Sequence, residues 1–199
     1  EKWLCIVTAT DECGNSSEFI FEVNVVDTIP PEIFLPEPDT IMASCDSIPM
    51  APTVTATDGC SVQISYFEEI EDRECIGEYD IIRTWFATDA CGNESSVTQV
   101  VMVKDTVAPT IKVKGRLENL ASGDSLRINC DEVDLYLNGN WVSAMDNCDP
   151  SPTLISNRFD NNAGGCVNGA SRTIDLSWTA TDDCGNRSEF NVTLVVVDN

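Results

Sequence analysis

The sequence contains no histidine and few basic residues. Of its 199 residues, 11 are Lys or Arg and 34 are Asp or Glu, which gives a formal net charge of −23. Without histidine, the chain lacks the commonest general base and the commonest metal ligand, and it can form neither a Ser-His nor a Cys-His nucleophile pair. Nucleic acid is excluded as a partner, because binding phosphates needs clustered Lys and Arg. We therefore expect a protein that is not an enzyme.

Long apolar runs are also missing from the sequence. No run approaches the ~20 residues that a membrane helix needs, so we expect no membrane insertion in this segment. The apolar fraction of 42% is nevertheless ordinary for a globular chain. Residue 1 begins inside a strand-like pattern without a leader sequence, which predicts that the chain is a piece of a longer protein.

Cysteine, by contrast, is abundant. The ten cysteines include no C-x-x-C pair, and the closest two, Cys5 and Cys13, are eight residues apart. Zinc clusters usually bring short C-x-x-C spacings or histidine. An even number of widely spaced cysteines predicts disulfides and an oxidising compartment, so we expect an extracellular protein at the cell surface.

One block of sequence occurs three times. Residues 9–15, 87–93 and 180–186 each read A-T-D-x-C-G-N, and each is followed by an apolar segment that ends in Asp27, Asp105 or Asp198. A proline-containing junction follows Asp27 and Asp105, and proline cannot continue a β-ladder. The repeat predicts three domains. Residues 1–28 are the last strands of a partial repeat, residues 29–106 are a complete repeat, and residues 107–199 are a complete repeat with longer loops.

The pattern inside each repeat is that of β-strands. Apolar residues at 174, 176, 178 and 180 alternate with polar ones, as expected for a strand with one buried face. Val- and Phe-rich segments at residues 19–26, 97–103 and 190–197 follow the Gly-Asn turns as hairpin partners. The sequence therefore predicts an all-β fold of tandem immunoglobulin-like β-sandwich domains stapled by disulfides.

These residues resemble a known family. The T-A-T-D-x-C-G-N block, the apolar strand and the following D-T-x-x-P-x-I are similar to hyalin-repeat and related immunoglobulin-like modules. Such modules recur in giant cell-surface adhesins of Bacteroidota, including gliding-motility adhesins. The resemblance implies an extracellular, repetitive and non-catalytic protein whose partners are neighbouring repeats of the same long chain.

Each complete repeat has four cysteines in the same order. Four cysteines allow three connectivities, and the sequence alone does not choose between them. Placing the cysteines on the loops at the two ends of an immunoglobulin-like sandwich brings the first near the third and the second near the fourth. The predicted bonds are Cys45–Cys75, Cys60–Cys91, Cys130–Cys166 and Cys148–Cys184. For Cys5 and Cys13, a bond to each other is left open.

Aspartates recur where successive sandwiches should meet, because the last strand of one domain leads to the loops of the next. The residues concerned are Asp27, Asp58 and Asp89 at one junction, and Asp105, Asp146, Asp149 and Asp182 at the other. Several carboxylates cannot all stay charged at close range without a cation, and Ca²⁺ prefers hard oxygen ligands. We therefore expect Ca²⁺ sites that stiffen the junctions. The alternative is that these aspartates serve only their own turns.

Two further features concern the surface. Five D-[S/T]-apolar triplets resemble the O-glycan acceptor of Bacteroidota, although Asp-Ser and Asp-Thr pairs are also common in turns. The hydroxyl residues of these triplets are Thr28, Thr40, Ser47, Thr106 and Ser125. Trp141 lies in the stretch that lengthens the last repeat, and with residues 158–165 it is the best candidate for a ligand-binding loop.

Two functions fit these observations. The first is a spacer or filament segment of a secreted adhesin. The second is a carbohydrate- or protein-binding module that uses the longer loops of residues 107–199, with surface glycans or other cells as partners. The acidic run at residues 68–74 is predicted to be an exposed edge rather than a paired-carboxylate site, which leaves a hydrolase fragment in third place.

Overall fold

The computed structural model describes residues 1–161 and 172–197, and these are built almost entirely of β-strands. The strands are β1 (Lys2–Thr10), β2 (Ser16–Asn24), β3 (Glu32–Phe34), β4 (Thr40–Ser44), β5 (Thr55–Thr57), β6 (Val62–Asp72), β7 (Tyr79–Asp89), β8 (Glu94–Lys104), β9 (Thr110–Val113), β10 (Asp124–Asn129), β11 (Val142–Met145), β12 (Thr153–Asp160), β13 (Arg172–Thr181) and β14 (Arg187–Val197). Helical structure in the described part consists of α1 (Val133–Leu137) and two 3-10 turns, Gly115–Leu117 and Cys130–Glu132. The predicted all-β fold is confirmed. Helix α1 could not be predicted, because five residues are too few to show a helical period.

The chain divides into two compact units, each made of separate segments. The first unit contains Glu1–Asp39, Ala51–Glu69 and Ile82–Val100. The second contains Thr40–Met50, Ile70–Ile81 and Val101–Asn199. The predicted repeat 29–106 thus contributes to both units, and the predicted domain boundaries after residues 28 and 106 stay predictions.

In the first unit, β1 and β2 form an antiparallel hairpin and β3 pairs with β5. Both faces of the hairpin are exposed, with Trp3 at 59% on one face and Leu4 at 66% on the other. In the same unit Trp85 of β7 is buried and its ring lies 5.2 Å from that of Tyr66. Trp85 therefore belongs to the buried core.

One four-stranded sheet has the order β4-β8-β7-β6, so β6 is an edge strand. Its exposed, acidic end includes residues 68–72, as predicted for this charged run. Acidic side chains on an edge strand discourage pairing with other chains. Glu68 also binds the buried Arg83 guanidinium at 3.1 Å, so this part of the run has a structural role.

In the second unit, β10, β14, β13 and β12 form a sheet in that order, and β9 pairs with β11. Alternate residues of β14, including Val192, Leu194 and Val196, are buried, which is the period of two expected for one buried face. They join Ile174 of β13 in a core that packs against Ile111 of β9. Two sheets packed through apolar faces make this unit a β-sandwich.

Candidate functional site

The repeated A-T-D-x-C-G-N block forms a hairpin turn held together by its aspartate. Oδ1 of Asp89 accepts hydrogen bonds from the backbone N–H groups of Cys91 and Asn93, at 2.8 and 2.9 Å. Its Oδ2 accepts one from Asn93 Nδ2 at 2.7 Å. The turn also needs a backbone conformation that favours glycine, since Gly92 has φ +90°. The bonds to asparagine recur around Asp11 and Asp182.

These turn bonds determine how Asp89 titrates. Burial raises the pKa of Asp89, but hydrogen bonds from Asn93 and from the Cys91 N–H lower it by more. The pKa of Asp89 is therefore below its ordinary value. The carboxylate is therefore charged. Asp89 and Asp182 therefore do serve their own turns, as the alternative to a cation site supposed, because their carboxylates accept the turn hydrogen bonds.

The asparagine of the block also contacts the linker that precedes its repeat. Asn93 Nδ2 donates to the carbonyl of Asp27 at 3.2 Å, and Asn186 Nδ2 donates to that of Asp105 at 3.3 Å. The sequence identified Gly-Asn only as a turn. Its threefold recurrence was visible, but nothing in the sequence showed that the amide reaches a linker far away in the chain.

Three predicted aspartates lie together in the first unit. Carboxylate oxygens of Asp27, Asp58 and Asp89 lie within 4.8 Å of one another, and we call these residues the first carboxylate cluster. Asp27 Oδ1 accepts the Ile29 N–H at 3.1 Å, and Asp27 Oδ2 accepts the Cys60 thiol at 3.2 Å. The hydrogen bond to Asp27, together with burial and Cys91, raises the pKa of Cys60 to about 12.

The second unit contains the corresponding group, Asp105, Asp146, Asp149 and Asp182, which we call the second carboxylate cluster. Asp105 is 4% exposed, and one of its oxygens lies within 4.8 Å of an Asp146 oxygen and of the Cys148 sulfur. Oδ2 of Asp105 and Oδ2 of Asp146 are both buried and have no hydrogen-bond partner among the described residues. Buried oxygens of this kind are costly unless something pairs with them.

Electrostatic repulsion within the second cluster affects Asp105 directly. Burial, followed by the charges of Asp146, Asp182 and Asp149, raises the pKa of Asp105, although the Val107 N–H opposes this effect. Asp149 has both of its oxygens occupied, by the N–H groups of Ser151 and Asp183 at 2.8 and 3.0 Å. The oxygens left for a cation therefore come first from Asp105 and Asp146.

The disulfides differ from the predicted pairing, and they lie beside the second cluster. The structure bonds Cys45 to Cys148 and Cys75 to Cys184, with Cα–Cα distances of 5.9 and 5.1 Å. Both distances are within the usual range for a disulfide. The predicted bonds Cys45–Cys75 and Cys148–Cys184 are wrong.

The physical reason for this correction is a contact that the prediction did not consider. The prediction paired loops at the same end of one sandwich. In the structure the Ile76 N–H donates to Asp183 Oδ2 at 2.9 Å, so the loops of Cys75 and Cys184 meet directly. Asn147 Nδ2 also lies 3.4 Å from the Cys45 sulfur. The nearest partner of each cysteine therefore comes from the other repeat.

The remaining cysteines are mostly unbonded. Cys60 and Cys91 are free thiols, which corrects the predicted bond between them; the Cys60 thiol donates to Asp27 instead. Cys5 and Cys13 are also free. Cys130 is in a disulfide, and its predicted partner Cys166 lies outside the described residues.

Gly77 is a residue at this place that the sequence did not single out. It has φ +94°, and a Cβ there would lie 2.8 Å from Cys148 Cβ and 3.3 Å from Asp105 Cβ. Gly77 therefore lets the backbone approach both the disulfide and the carboxylate cluster. Its signal in the sequence was only an ordinary Ile-Gly-Glu turn.

An alanine substitution can distinguish the close approach of Gly77 to Cys148 from the strain of its positive φ. We expect Gly77→Ala to reduce the free energy of unfolding by more than the roughly 1–3 kcal/mol of a strained backbone, because its Cβ also overlaps Cys148. Gly92→Ala is the matched control, since Gly92 has φ +90° but no neighbouring atom within 4 Å of the added Cβ. Urea denaturation of both variants measures the difference, and equal losses would contradict a packing role for Gly77.

The other predicted sites occupy separate places. All five candidate O-glycan acceptors, Thr28, Thr40, Ser47, Thr106 and Ser125, are exposed. Trp141 lies against Gly115 and Gly139 and lines a cavity of about 470 Å³. Tyr136, Asn140, Arg158 and Trp178 also line this cavity, so the structure brings Trp141 and the start of the predicted 158–165 segment together.

Part of the chain matches a known family. Residues 33–103 match the model of the HYR-like domain with 4 cysteines, and this match contains all four cysteines of the predicted repeat 29–106. It supports the resemblance to hyalin-repeat modules for that segment. No curated protein sequence matches the chain significantly.

Solved structures give weaker likenesses. The chain is similar to human mucin-like protocadherin EC1-2, with 10% identity, a TM-score of 0.35, and coverage of 85% of this chain and 98% of that one. It is also similar to Drosophila N-cadherin EC1-4, with 12% identity, a TM-score of 0.35, and coverage of 98% and 57%. Likenesses this low assign no partner, metal or role to the chain.

Membrane insertion through a helix finds no support in the described part of the chain. None of its helices is long and apolar enough to cross a bilayer.

Proposed function

We propose that the chain is a non-catalytic repeat segment of a secreted cell-surface adhesin or filament, and that it acts as a load-bearing spacer with Ca²⁺-binding joints. The observation that supports this most is the coincidence of two features in the second unit. The Cys45–Cys148 and Cys75–Cys184 disulfides adjoin a buried carboxylate cluster with two unpartnered oxygens. One place in the fold thus combines covalent cross-links with a site suited to a cation.

The disulfides suit a segment that resists tension. They join residues 103 and 109 positions apart, one from each predicted complete repeat. Force applied to the two ends of the chain passes through the Cys75–Cys184 bond and bypasses the residues between them. The bypassed part can be stretched out only if the bond is reduced.

Stretching single molecules tests this role. At about 3.3–3.6 Å per extended residue, bypassing 109 residues should make the fully stretched oxidised chain about 370 Å shorter than the reduced chain. Optical-tweezer or atomic-force extension of the chain between terminal handles, with and without a reductant, measures this difference. A variant with serine at Cys45, Cys75, Cys148 and Cys184 should lose this difference of about 370 Å. Equal full extension of the native chain in both conditions would contradict a load-bearing cross-link.

Ca²⁺ fits the second carboxylate cluster better than softer metals do. The available ligands are carboxylate oxygens, the sequence has no histidine, and the nearby Cys148 and Cys184 sulfurs are in disulfides. Hard oxygen donors favour Ca²⁺ or Mg²⁺, and Ca²⁺ tolerates the irregular geometry of a joint between loops. Backbone carbonyls and water would complete its coordination.

The disulfides also bear on where the protein is located. Disulfides of this kind persist in oxidising compartments, which supports an extracellular location. The partners of this segment are then neighbouring repeats of the same chain. Exposure of Thr28, Thr40, Ser47, Thr106 and Ser125 is compatible with O-glycosylation at these positions.

A second candidate function is supported by the cavity at Trp141. Aromatic side chains beside Asn and Arg side chains are a combination that suits a sugar ring, with apolar faces to stack on and polar groups to fix orientation. The cavity is lined by Trp141, which precedes β11, and by Asn157 and Arg158 of β12. This candidate is a carbohydrate-binding module within the same spacer.

Glycan-array binding by the full chain tests this candidate. We expect Arg158→Ala to reduce any specific glycan signal at least tenfold, since Arg158 lines the cavity, whereas Arg127→Ala at an exposed position of β10 should leave the signal unchanged. Trp141→Ala is a second variant, checked for folding by its thermal transition. The absence of specific binding by the native chain would remove this function and leave the spacer role intact.

A further inference from the structure

The two free cysteines Cys60 and Cys91 correspond to two bonded ones. They hold the second and fourth places among the cysteines of residues 29–106, as Cys148 and Cys184 do in residues 107–199. Cys148 and Cys184 are bonded to the first and third cysteines of the preceding repeat. Cys60 and Cys91 have no disulfide and are at least partly exposed, and their sulfurs lie within 4.8 Å of each other and of an Asp27 oxygen.

The local geometry around these pairs is the same. The Cys60 N–H donates to Asp58 Oδ1 at 2.9 Å, and the Cys148 N–H donates to Asp146 Oδ1 at 2.8 Å. The linkers are also fixed alike, since Ser95 Oγ donates to the Pro31 carbonyl and Ser188 Oγ donates to that of Pro109. The loops of Cys60 and Cys91 are therefore built like loops that accept a cross-linked neighbour.

One difference between the two places follows from the missing bonds. Oδ2 of Asp27 is occupied by the Cys60 thiol, whereas Oδ2 of Asp105 has no partner because the Cys148 sulfur is already in a disulfide. A bond from Cys60 to another sulfur would remove the thiol proton from Asp27. The first carboxylate cluster would then have a free oxygen like that of the second cluster.

The β1–β2 hairpin indicates what kind of neighbour belongs there. Trp3 and Val7 hold the positions of Ile81 and Trp85, each 78 residues later. Ile81 and Trp85 are each 4% exposed, whereas Trp3 and Val7 are 59% and 55% exposed. Positions that form a core in one copy need the other strands of a sandwich in the other copy. In residues 29–106 the first and third cysteines follow two of those strands, β4 and β6.

We propose that Cys60 and Cys91 are cross-link sites for the repeat that ends in Asp27. Cys60 bonds the cysteine at the position that corresponds to Cys45, and Cys91 bonds the one that corresponds to Cys75. The repeat 29–106 then has two cysteines for the neighbour before it and two for the neighbour after it, and two disulfides hold each of its two joints. This inference rests on the pairing seen at Cys148 and Cys184 and does not depend on calcium.

Each bond forms by thiol–disulfide exchange with an external disulfide. The two thiols lose two protons and two electrons as the new S–S bond forms, and a small-molecule disulfide such as glutathione disulfide is reduced to two thiols. Such a couple is available in an oxidising compartment and in a refolding buffer.

Duplicating residues 29–106 within the full chain, directly after residue 106, tests the proposal. The second copy then follows Asp105-Thr106 as the original follows Asp27-Thr28. After oxidative refolding with glutathione disulfide, non-reducing peptide mapping should find two new linkages, Cys45–Cys60 and Cys75–Cys91, between the copies. The Cys45–Cys148 and Cys75–Cys184 linkages should remain and report that the molecule has folded. The number of free thiols should equal that of the parent chain.

A matched control replaces Cys45 and Cys75 by serine in the first copy only. Cys60 and Cys91 of the second copy should then react with maleimide, while the bonds to Cys148 and Cys184 are retained. A Cys60–Cys91 linkage in the duplicated chain would overturn the proposal, and so would free Cys60 and Cys91 thiols in both copies. Failure of the stretching or calcium experiments with intact new linkages would count against the proposed function and not against this pairing.

Discussion

Replacing Cys75 and Cys184 together by serine should lower the free energy of unfolding by about 2–5 kcal/mol. The bond joins residues 109 positions apart, and even with Cys45–Cys148 retained it closes a long loop in the unfolded chain. The chain-entropy model gives roughly 4 kcal/mol for a loop of that kind. For a chain of this size the melting temperature should fall by about 10 °C. Differential scanning calorimetry and urea denaturation without reductant measure both quantities.

The control for this prediction is already present in the chain. Cys5 and Cys13 are free, so Cys5→Ser with Cys13→Ser should change stability by less than about 0.5 kcal/mol, as for an ordinary surface substitution. A reductant should destabilise the native chain and have less effect once Cys45, Cys75, Cys148 and Cys184 are replaced, since the Cys130 disulfide then still remains to be reduced. Unchanged stability of the Cys75→Ser, Cys184→Ser variant would mean that this bond does not form in the folded protein.

Calcium should raise the melting temperature of the native chain by about 5–10 °C. A ligand at a hundred times its dissociation constant stabilises the folded state by about 2.7 kcal/mol, and this amount converts to such a shift for a chain of this length. The reason lies in Asp105 and Asp146, whose buried Oδ2 atoms have no hydrogen-bond partner among the described residues. A thermal scan in EDTA and in excess Ca²⁺ measures the effect.

Replacing Asp105 by asparagine should have opposite effects on stability in the absence and in the presence of Ca²⁺. In EDTA, Asp105→Asn should be at least as stable as the native chain, because the substitution removes a buried charge that neighbouring carboxylates repel. In Ca²⁺ it should be less stable, because a ligand is lost. Asp72→Asn, on an exposed strand end, is the control and should respond to Ca²⁺ like the native chain. An equal melting temperature of the native chain in Ca²⁺, in Mg²⁺ and in EDTA would contradict the proposed cation site.

Much of the fold could be predicted from local pattern. The alternation of apolar and polar residues predicted β13, and the Val-rich segments predicted β8 and β14, because a half-buried strand has a period of two. The threefold A-T-D-x-C-G-N block predicted three hairpin turns. The proximity of Asp27 to Asp58 and Asp89 also followed from the topology expected of tandem sandwiches.

The pairing of the cysteines could not be predicted in the same way. It depends on which loops touch, and the contact of Ile76 with Asp183 joins residues more than a hundred positions apart. A rule for one isolated sandwich puts Cys45 with Cys75, since it considers no second sandwich. Gly77 went unnoticed for the same reason, because its importance comes from Cys148 and Asp105 rather than from its own turn.

The most direct test of this joint is a disulfide map of the native chain. Asp46 and Asp58 lie between Cys45 and Cys60, so trypsin combined with an aspartate-specific protease puts these cysteines on separate peptides. Mass spectrometry without reduction should then find Cys45 linked to Cys148 and Cys75 linked to Cys184. Peptides that link Cys45 to Cys75 and Cys148 to Cys184 would show that each sandwich is stapled only to itself, and would contradict cross-linked repeats.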